Sequence, residues 1–376
     1  MSEFAAGPAG RIERVRALMA ERGHDAIVVR DEANLRWLTG VKGVFDYTFE
    51  FPHAAFITAD QCLFHTDSRY LNSFEENTSA GSPWVYDMDE GTIPGWVAGK
   101  IAANKCRVCA VEDDMQINFY QGIQRGLEDR SVACMLPLMH DDIRKMRAIK
   151  DAEEIELMRH AQSITDAAFQ HMLGFIKPGM TEKQVRNELE NFMFANGADS
   201  LAFGSIVASG PNTANPHAVP SDRVIEKGDF VLMDYGAGYC DYRSDMTRTV
   251  VMGEPTQEQL DLYALVRRTH EECVAAIHPG VEGNDIFKLS KKIIGDAGYG
   301  DYYNHGLGHG VGIDIHELPN FNRSKNIIEV GSVITMEPGV YLPGVGGVRL
   351  EDYGVVTENG YEPFTKTPHD LHVIDC

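Results

Sequence analysis

The sequence predicts two domains: an α/β domain at the N-terminus, then an α+β domain made of two similar halves related by a pseudo-two-fold. Three observations predict it. Helix and strand signals alternate over the first third of the chain, an ordered series of matches links two later stretches, and four carboxylates recur in two hairpin-like segments. A chain of 376 residues is long enough for two domains, each able to bury a core.

In the first domain, Arg11 to Arg22 is amphipathic and Ala26 to Arg30 (AIVVR) reads as a short buried strand. AAFITA and CLFHT form an expected strand pair, and Trp96 to Ala103 reads as a helix before the strand in VCAVE. Cys106 and Cys109 match C-x-x-C, but within a strand-like stretch they read as buried thiols. No metal ligands concentrate here. The boundary is expected in LPLMHDDIRKMRAIKDAEE, dividing the chain into residues 1–140 and 141–376. Asp151 followed by Glu154 then starts a helix with a capping box, and Leu157, Ala161, Ile164, Ala168 and Met172 continue its stripe as far as Pro178-Gly179.

From that point the chain repeats itself. Ile176-Lys177-Pro178-Gly179-Met180 matches Ile277-His278-Pro279-Gly280-Val281, and Gly197 matches Gly298. Gly228 then pairs with Gly331, Asp234 with Glu337, Gly236 with Gly339, Arg243 with Arg349 and Asp245 with Glu351. A run of matches in one order implies two α-plus-hairpin halves whose acids meet near the pseudo-axis. If each hairpin is centred between its two acids, those acids face each other across the strands at about 4.5–5.5 Å between Cβ atoms. Four converging carboxylates need cations, because unpaired buried carboxylates are too costly to keep ionised. Between the hairpins lies HGLGHGVG, whose His309 adds nitrogen to an oxygen-rich site, while its glycines let backbone approach closely. Four acids and one imidazole suit two transition ions, and Mn²⁺, Co²⁺, Fe²⁺ and Zn²⁺ all remain open.

Asp234, the eleven-residue step to Asp245, His309 in HGLGHGVG, Glu337 in MEPG and Glu351 in RLED resemble the pita-bread-fold metallopeptidases, in particular the Xaa-Pro peptidases. The resemblance covers essentially the whole chain, its first domain being similar to the creatinase-type N-terminal domain. It implies that Asp234 binds one metal, that Asp245 and Glu351 bridge both, and that His309 and Glu337 complete the second, with manganese the first expectation. Glu337 resembles the group that takes a proton from the attacking water, a role that requires one of its oxygens to stay free.

The resemblance also assigns three histidines. His217, in the polar stretch NTANPHAVP, is expected on a loop that closes over substrate. His316 in IDIHE matches a contact to the substrate carbonyl, and His305 matches a residue lining a proline pocket. Arg349, two residues before Glu351, shares its strand face. A salt bridge to Asp234 is its plain structural role; it could also bind a substrate carboxylate or hold a ligand carboxylate in place, and the last is favoured here. The remaining histidines, His270 among them, read as surface or core.

Composition narrows the partners. A formal charge of −22 opposes nucleic acid and anionic membrane, which both require basic patches. No apolar stretch is long enough to span a bilayer, and MSEFAAGPAGRIERVRALMAERG lacks the basic-then-apolar order of a leader. Seven scattered cysteines do not read as a disulfide framework. The expectation is a cytoplasmic homodimer acting on proline-containing peptides with two divalent metals. A creatinase-like or other C–N hydrolase of a modified amino acid is the second reading, and a catalytically inactive binding module the third.

Overall fold

The computed structural model describes residues 7–42, 52–79, 81–88, 91–321 and 325–376, in two compact units, Met1–Arg147 and Ala148–Cys376. The first six residues of MSEFAAGPAGRIERVRALMAERG, the stretch read for a leader pattern, lie outside them. Helix α6 (Asp142–Arg147) falls in the first unit, so the division comes a few residues after the expected 140/141.

The first unit is a five-stranded sheet in the order β4-β3-β2-β1-β5, formed by β1 (Ala26–Val29), β2 (Ala54–Thr58), β3 (Cys62–His65), β4 (Trp84–Asp87) and β5 (Cys109–Val111). Around it lie α1 (Gly7–Arg22), α2 (Glu32–Thr39), α3 (Leu71–Asn77), α4 (Ile93–Ala103) and α5 (Ile117–Asp129). The expected pair β2 and β3 is antiparallel, and β1 runs parallel to β5. Val28, Phe56 and Val111 pack against Val97 and Ile101 of α4 and Ile123 of α5. Cys106 and Cys109 are free and buried, and burial pushes both thiols above their usual range, which makes them packing groups.

In the second unit the repeat becomes three-dimensional. The first half contains α7 (Ala152–Phe175), α8 (Glu182–Ala195), β6 (Ser200–Leu201), β7 (Ile206–Ser209), β8 (Phe230–Tyr235), β9 (Ala237–Tyr239), β10 (Tyr242–Arg243) and β11 (Met246–Met252). The second contains α9 (Gln257–Ala275), α10 (Gly283–Asp296), β12 (His309–Gly310), β13 (Glu317–Asn320), β14 (Val333–Met336), β15 (Gly339–Leu342), β16 (Gly346–Arg349), β17 (Asp352–Thr357) and β18 (Gly360–Pro363), with β19 (Val373–Ile374) returning to β11. Asp151 caps α7 with the reciprocal Glu154 contact. The Pro-Gly corners match bond for bond: Gly179 N donates to Ile225 O at 2.9 Å and Gly280 N to Ile328 O at 2.8 Å, both glycines at positive φ (93° and 88°). Phe169, Met172, Val185 and Leu189 pack against Val231 and Met233 within one half, Cys273 and Ile286 against Ile334 and Val356 within the other, and Leu262, Val266 and Ile294 join Phe230 and Val251 across the two.

The hairpins differ in register. β14 pairs β17 with Met336 opposite Asp352, and β15 pairs β16 with Gly339 opposite Arg349, so Glu337 and Glu351 face each other as expected. In the first half Tyr235 faces Met246 and Asp234 faces Thr247, which sets Asp245 opposite Gly236. The two acids of that hairpin are therefore diagonal neighbours, not direct partners, a correction to the centred hairpin. The cause is the turn. Cys240 and Asp241 both adopt positive φ (47° and 70°), a two-residue turn that fixes the register one residue later than the midpoint of the acids.

Gly236, between the two acids, has no room for a side chain: a Cβ there would lie 1.9 Å from Ser244 O and 2.9 Å from Ala202 Cβ. Gly236→Ala is expected to destabilise the protein by about 1–3 kcal/mol through overpacking and to weaken metal retention by spreading Asp234 from Asp245. Denaturant unfolding and metal content check both, and an unchanged midpoint with full metal would contradict the expectation.

Candidate metal centre and active-site cleft

Five donors stand at strand ends where the two hairpins meet. Asp234 is the fifth residue of β8, Asp245 immediately precedes β11, His309 opens β12, Glu337 follows β14 and Glu351 precedes β17. Cross-hairpin bonds hold the halves together here: Glu351 N donates to Thr247 O at 3.1 Å, and Thr249 Oγ1 donates to Arg349 O at 3.0 Å. His309 sits beside a β-bulge, and the glycines around it are required by close backbone. A Cβ on Gly308 would lie 2.3 Å from Thr335 O and one on Gly310 2.3 Å from Leu318 O.

One donor atom each from Asp245, His309 and Glu351 lies within 4.8 Å of the others. His309 Nε2 is 3.6 Å from Asp245 Oδ2 and 3.6 Å from Glu337 Oε1. Asp234 Oδ2 accepts from Arg349 Nη2 at 2.6 Å, while its Oδ1 is buried with no hydrogen-bond partner. Burial, then the neighbouring acids, pushes the Asp245 and Glu351 carboxyls well above the usual range, and burial with Asp234 raises Glu337 to about 8. Burial, reinforced by His316, lowers His309 to about 3, so its ring is neutral with a lone pair to offer. An orphaned carboxylate oxygen, acids that resist ionising together and a neutral imidazole fit divalent cations.

All nine sequence-selected residues line one cleft of about 710 Å³, a volume suited to a small ligand. His305 Nε2 bonds the Tyr341 hydroxyl at 2.8 Å, and its Nδ1 lies 4.0 Å from Glu337 Oε2. His316 packs edge-on to His309 with ring centroids 4.3 Å apart. His217 is exposed on the turn after a short 3₁₀ segment, Gly210–Ala214. Arg349 is buried and reaches four partners: Asp234, Tyr341 OH at 2.8 Å, Thr247 Oγ1 at 3.0 Å, and Pro216 O at 3.3 Å, next to His217. Its salt bridge to Asp234 and its hold on a candidate ligand are thus one contact.

Two residues of this network were not selected from sequence. Thr247 donates to Glu351 Oε2 at 2.7 Å while accepting from Arg349, and Tyr341 links Arg349 to His305. A signal existed in the period of two: Thr247 follows Asp245 by two, and Tyr341 stands four after Glu337. Arg186, Glu190, Phe203 and Ser205 also line the cleft, and no motif marked them.

Residues 156–358 match metallopeptidase family M24, and residues 11–149 match the creatinase/prolidase N-terminal domain. The chain belongs to metallopeptidase family M24. Among M24 relatives it is 36% identical over 372 residues to the uncharacterized peptidase YqhT of Bacillus subtilis (strain 168), covering 97% of this chain and 100% of that one. Among solved structures it resembles an Xaa-Pro dipeptidase from Bacillus anthracis, with TM-score 0.89, 36% identity and coverage of 98% of this chain and 100% of that one. It also resembles an X-Pro aminopeptidase from Thermotoga maritima MSB8, with TM-score 0.85, 30% identity and coverage of 97% and 100%. The fold class and the family read from sequence are those found. No helix among the described residues is long and apolar enough to cross a membrane.

Proposed function

We propose that this M24 metallopeptidase releases the N-terminal residue from peptides with proline in second position, using two divalent ions, manganese foremost. The observation that carries the reading is the convergence of Asp234, Asp245, His309, Glu337 and Glu351 on one cleft that three further histidines also line. Asp234 would hold one ion, Asp245 and Glu351 both, and His309 and Glu337 the second. When bound, the ions supply a water of lowered pKa and polarise the scissile carbonyl. Glu337 takes the water's proton. It then passes that proton to the leaving proline nitrogen. Arg349 fixes Asp234 and, through Pro216 O, the base of the loop bearing His217. His316 faces the carbonyl. His305, packed against Tyr303 and Tyr341 at ring distances of 5.2 and 5.4 Å, forms an aromatic wall for the proline ring.

A metal-reconstituted panel of Gly-Pro, Ala-Pro, Arg-Pro-Pro and Ala-Ala tests the proposal. Turnover of the proline peptides with Ala-Ala untouched is the expected result, and Arg-Pro-Pro separates dipeptidase from aminopeptidase action. No turnover of any proline peptide would favour another C–N hydrolase. The same reading makes the protein a cytoplasmic homodimer. Light scattering checks the homodimer, and all seven thiols being free fits a reducing compartment.

His217→Ala is expected to lower kcat and kcat/KM together by about tenfold to a hundredfold with metal content unchanged, the pattern of a contact made only in the transition state. The exposed turn bearing His217 lines the cleft but His217 makes no ion pair there with the five donors. Metal loss would make it a ligand, and unchanged kinetics would remove it from the reaction.

A further inference from the structure

Behind Glu351 lies a second donor cluster, apart from the cleft. His270 of α9, Asp352 at the start of β17 and His369 of the C-terminal segment present one donor atom each within 4.8 Å of one another. His270 Nε2 is 3.6 Å and His369 Nε2 2.6 Å from the same oxygen, Asp352 Oδ2. His270 is 1% exposed and neither of its ring nitrogens has a hydrogen-bond partner. An imidazole buried with two unsatisfied nitrogens is costly, and native proteins seldom leave such a group without a ligand. Burial holds this ring neutral, its pKa lowered to about 4, so a lone pair is available at neutral pH.

Arg248 explains how Asp352 is aimed. Its Nη2 donates to Asp352 Oδ1 at 2.7 Å and to Thr367 O at 2.7 Å, and its Nη1 donates to Glu351 O at 2.6 Å. One carboxylate oxygen is thereby taken, and the other is turned to the two imidazoles. Arg248 opposes a nearby cation; on the outer side Glu271 Oε1 lies 3.8 Å from His369 Nδ1 while pairing with Arg267 Nε at 2.8 Å. His369 is 26% exposed and gives an entry path from solvent.

We propose that His270, His369 and Asp352 form a structural site for a borderline transition cation, Zn²⁺ in first place, distinct from the ions in the cleft. Two imidazoles and one carboxylate select zinc, cobalt or nickel over magnesium and calcium, and tetrahedral zinc takes such ligands at about 2.0–2.2 Å with water as the fourth. Binding displaces the His369 Nε2–Asp352 Oδ2 hydrogen bond, leaving both atoms to the cation. The cation cross-links α9, β17 and the C-terminal segment one residue from Glu351. In the sequence His270 had no context, since its partners lie 82 and 99 residues away (352 − 270 and 369 − 270).

The test is a zinc-edge anomalous difference map from wild-type crystals equilibrated with Zn²⁺, together with zinc content per protomer for wild type, His369→Ala and His270→Gln. A peak bounded by His270, His369 and Asp352, with one zinc fewer in each variant, is the expected result. The difference of one does not depend on how many ions the cleft holds, so it stands or falls separately from the proposed peptidase reaction. No peak at the cluster, or equal zinc content in wild type and His369→Ala, overturns the site. The map requires no variant, so a poorly folding His270→Gln leaves the outcome decisive.

Discussion

Glu337→Gln is expected to lower kcat by about 10²–10⁴, the range that general base catalysis contributes, while the far-UV spectrum stays native. The amide keeps the volume of the side chain and can still offer one oxygen, but it cannot accept a proton. Its position supports the role. Glu337 Oε1 lies 3.6 Å from His309 Nε2, on the donor side, and Oε2 turns toward His305 at 4.0 Å, so the two oxygens address different neighbours. Steady-state kinetics on Ala-Pro beside metal analysis separates the effects. Loss of rate with metal retained identifies the base, whereas turnover within about tenfold of wild type would show that no proton passes through this residue.

Removal of the cleft ions is expected to abolish turnover, restored by Mn²⁺, and to make stability fall as pH rises. The sign follows from linkage. Without metal the Asp245, Glu351 and Glu337 carboxyls are raised, Glu337 to about 8, so the folded state binds more protons than the unfolded chain. Stability from such groups is complete below the unfolded carboxylate pKa and is lost as pH rises through the folded value. His305 and His309, lowered by burial to about 3, act oppositely, and their effect is confined to pH values below about 6.5, where the unfolded imidazole titrates. Between about pH 6.5 and 8 these histidines contribute nothing, and the cluster carboxyls act with buried Glu112, itself raised to about 7, whose share metal loading leaves unchanged. The Tm of chelated protein should drop across that window, and the Mn²⁺-loaded protein should lose much less. A flat or rising Tm for the chelated protein would remove the acid cluster as its source.

Much of the fold was legible because the chain states it twice. A Pro-Gly corner, a glycine after a helix and a pair of acids recurring in order carry their geometry with them, and the matched bonds of Gly179 and Gly280 are that repetition in space. The β2/β3 pair and the α7 capping box were equally readable, since both rest on neighbours in sequence. What failed was the register of the first hairpin. Its turn is Cys240-Asp241, both at positive φ, and neither is the glycine that usually marks such a turn.

The nine cleft residues were found as types and positions, and their wiring was not. Thr247 and Tyr341 became part of the site only when β11 closed on Glu351 and β15 on Arg349, contacts spanning 104 and 8 residues. Such partners are chosen by strand register, which a one-residue change in a turn resets. Sequence by itself determined the family, the internal repeat and the candidate donor set, because ligand chemistry restricts residue type and the repeat restricts spacing. Only the tertiary structure decided which oxygen of Asp234 stays free, that Arg349 takes the other, and that His270 meets Asp352 and His369. These are matters of packing between segments far apart in the chain, where distance and burial set the chemistry and no local pattern encodes them.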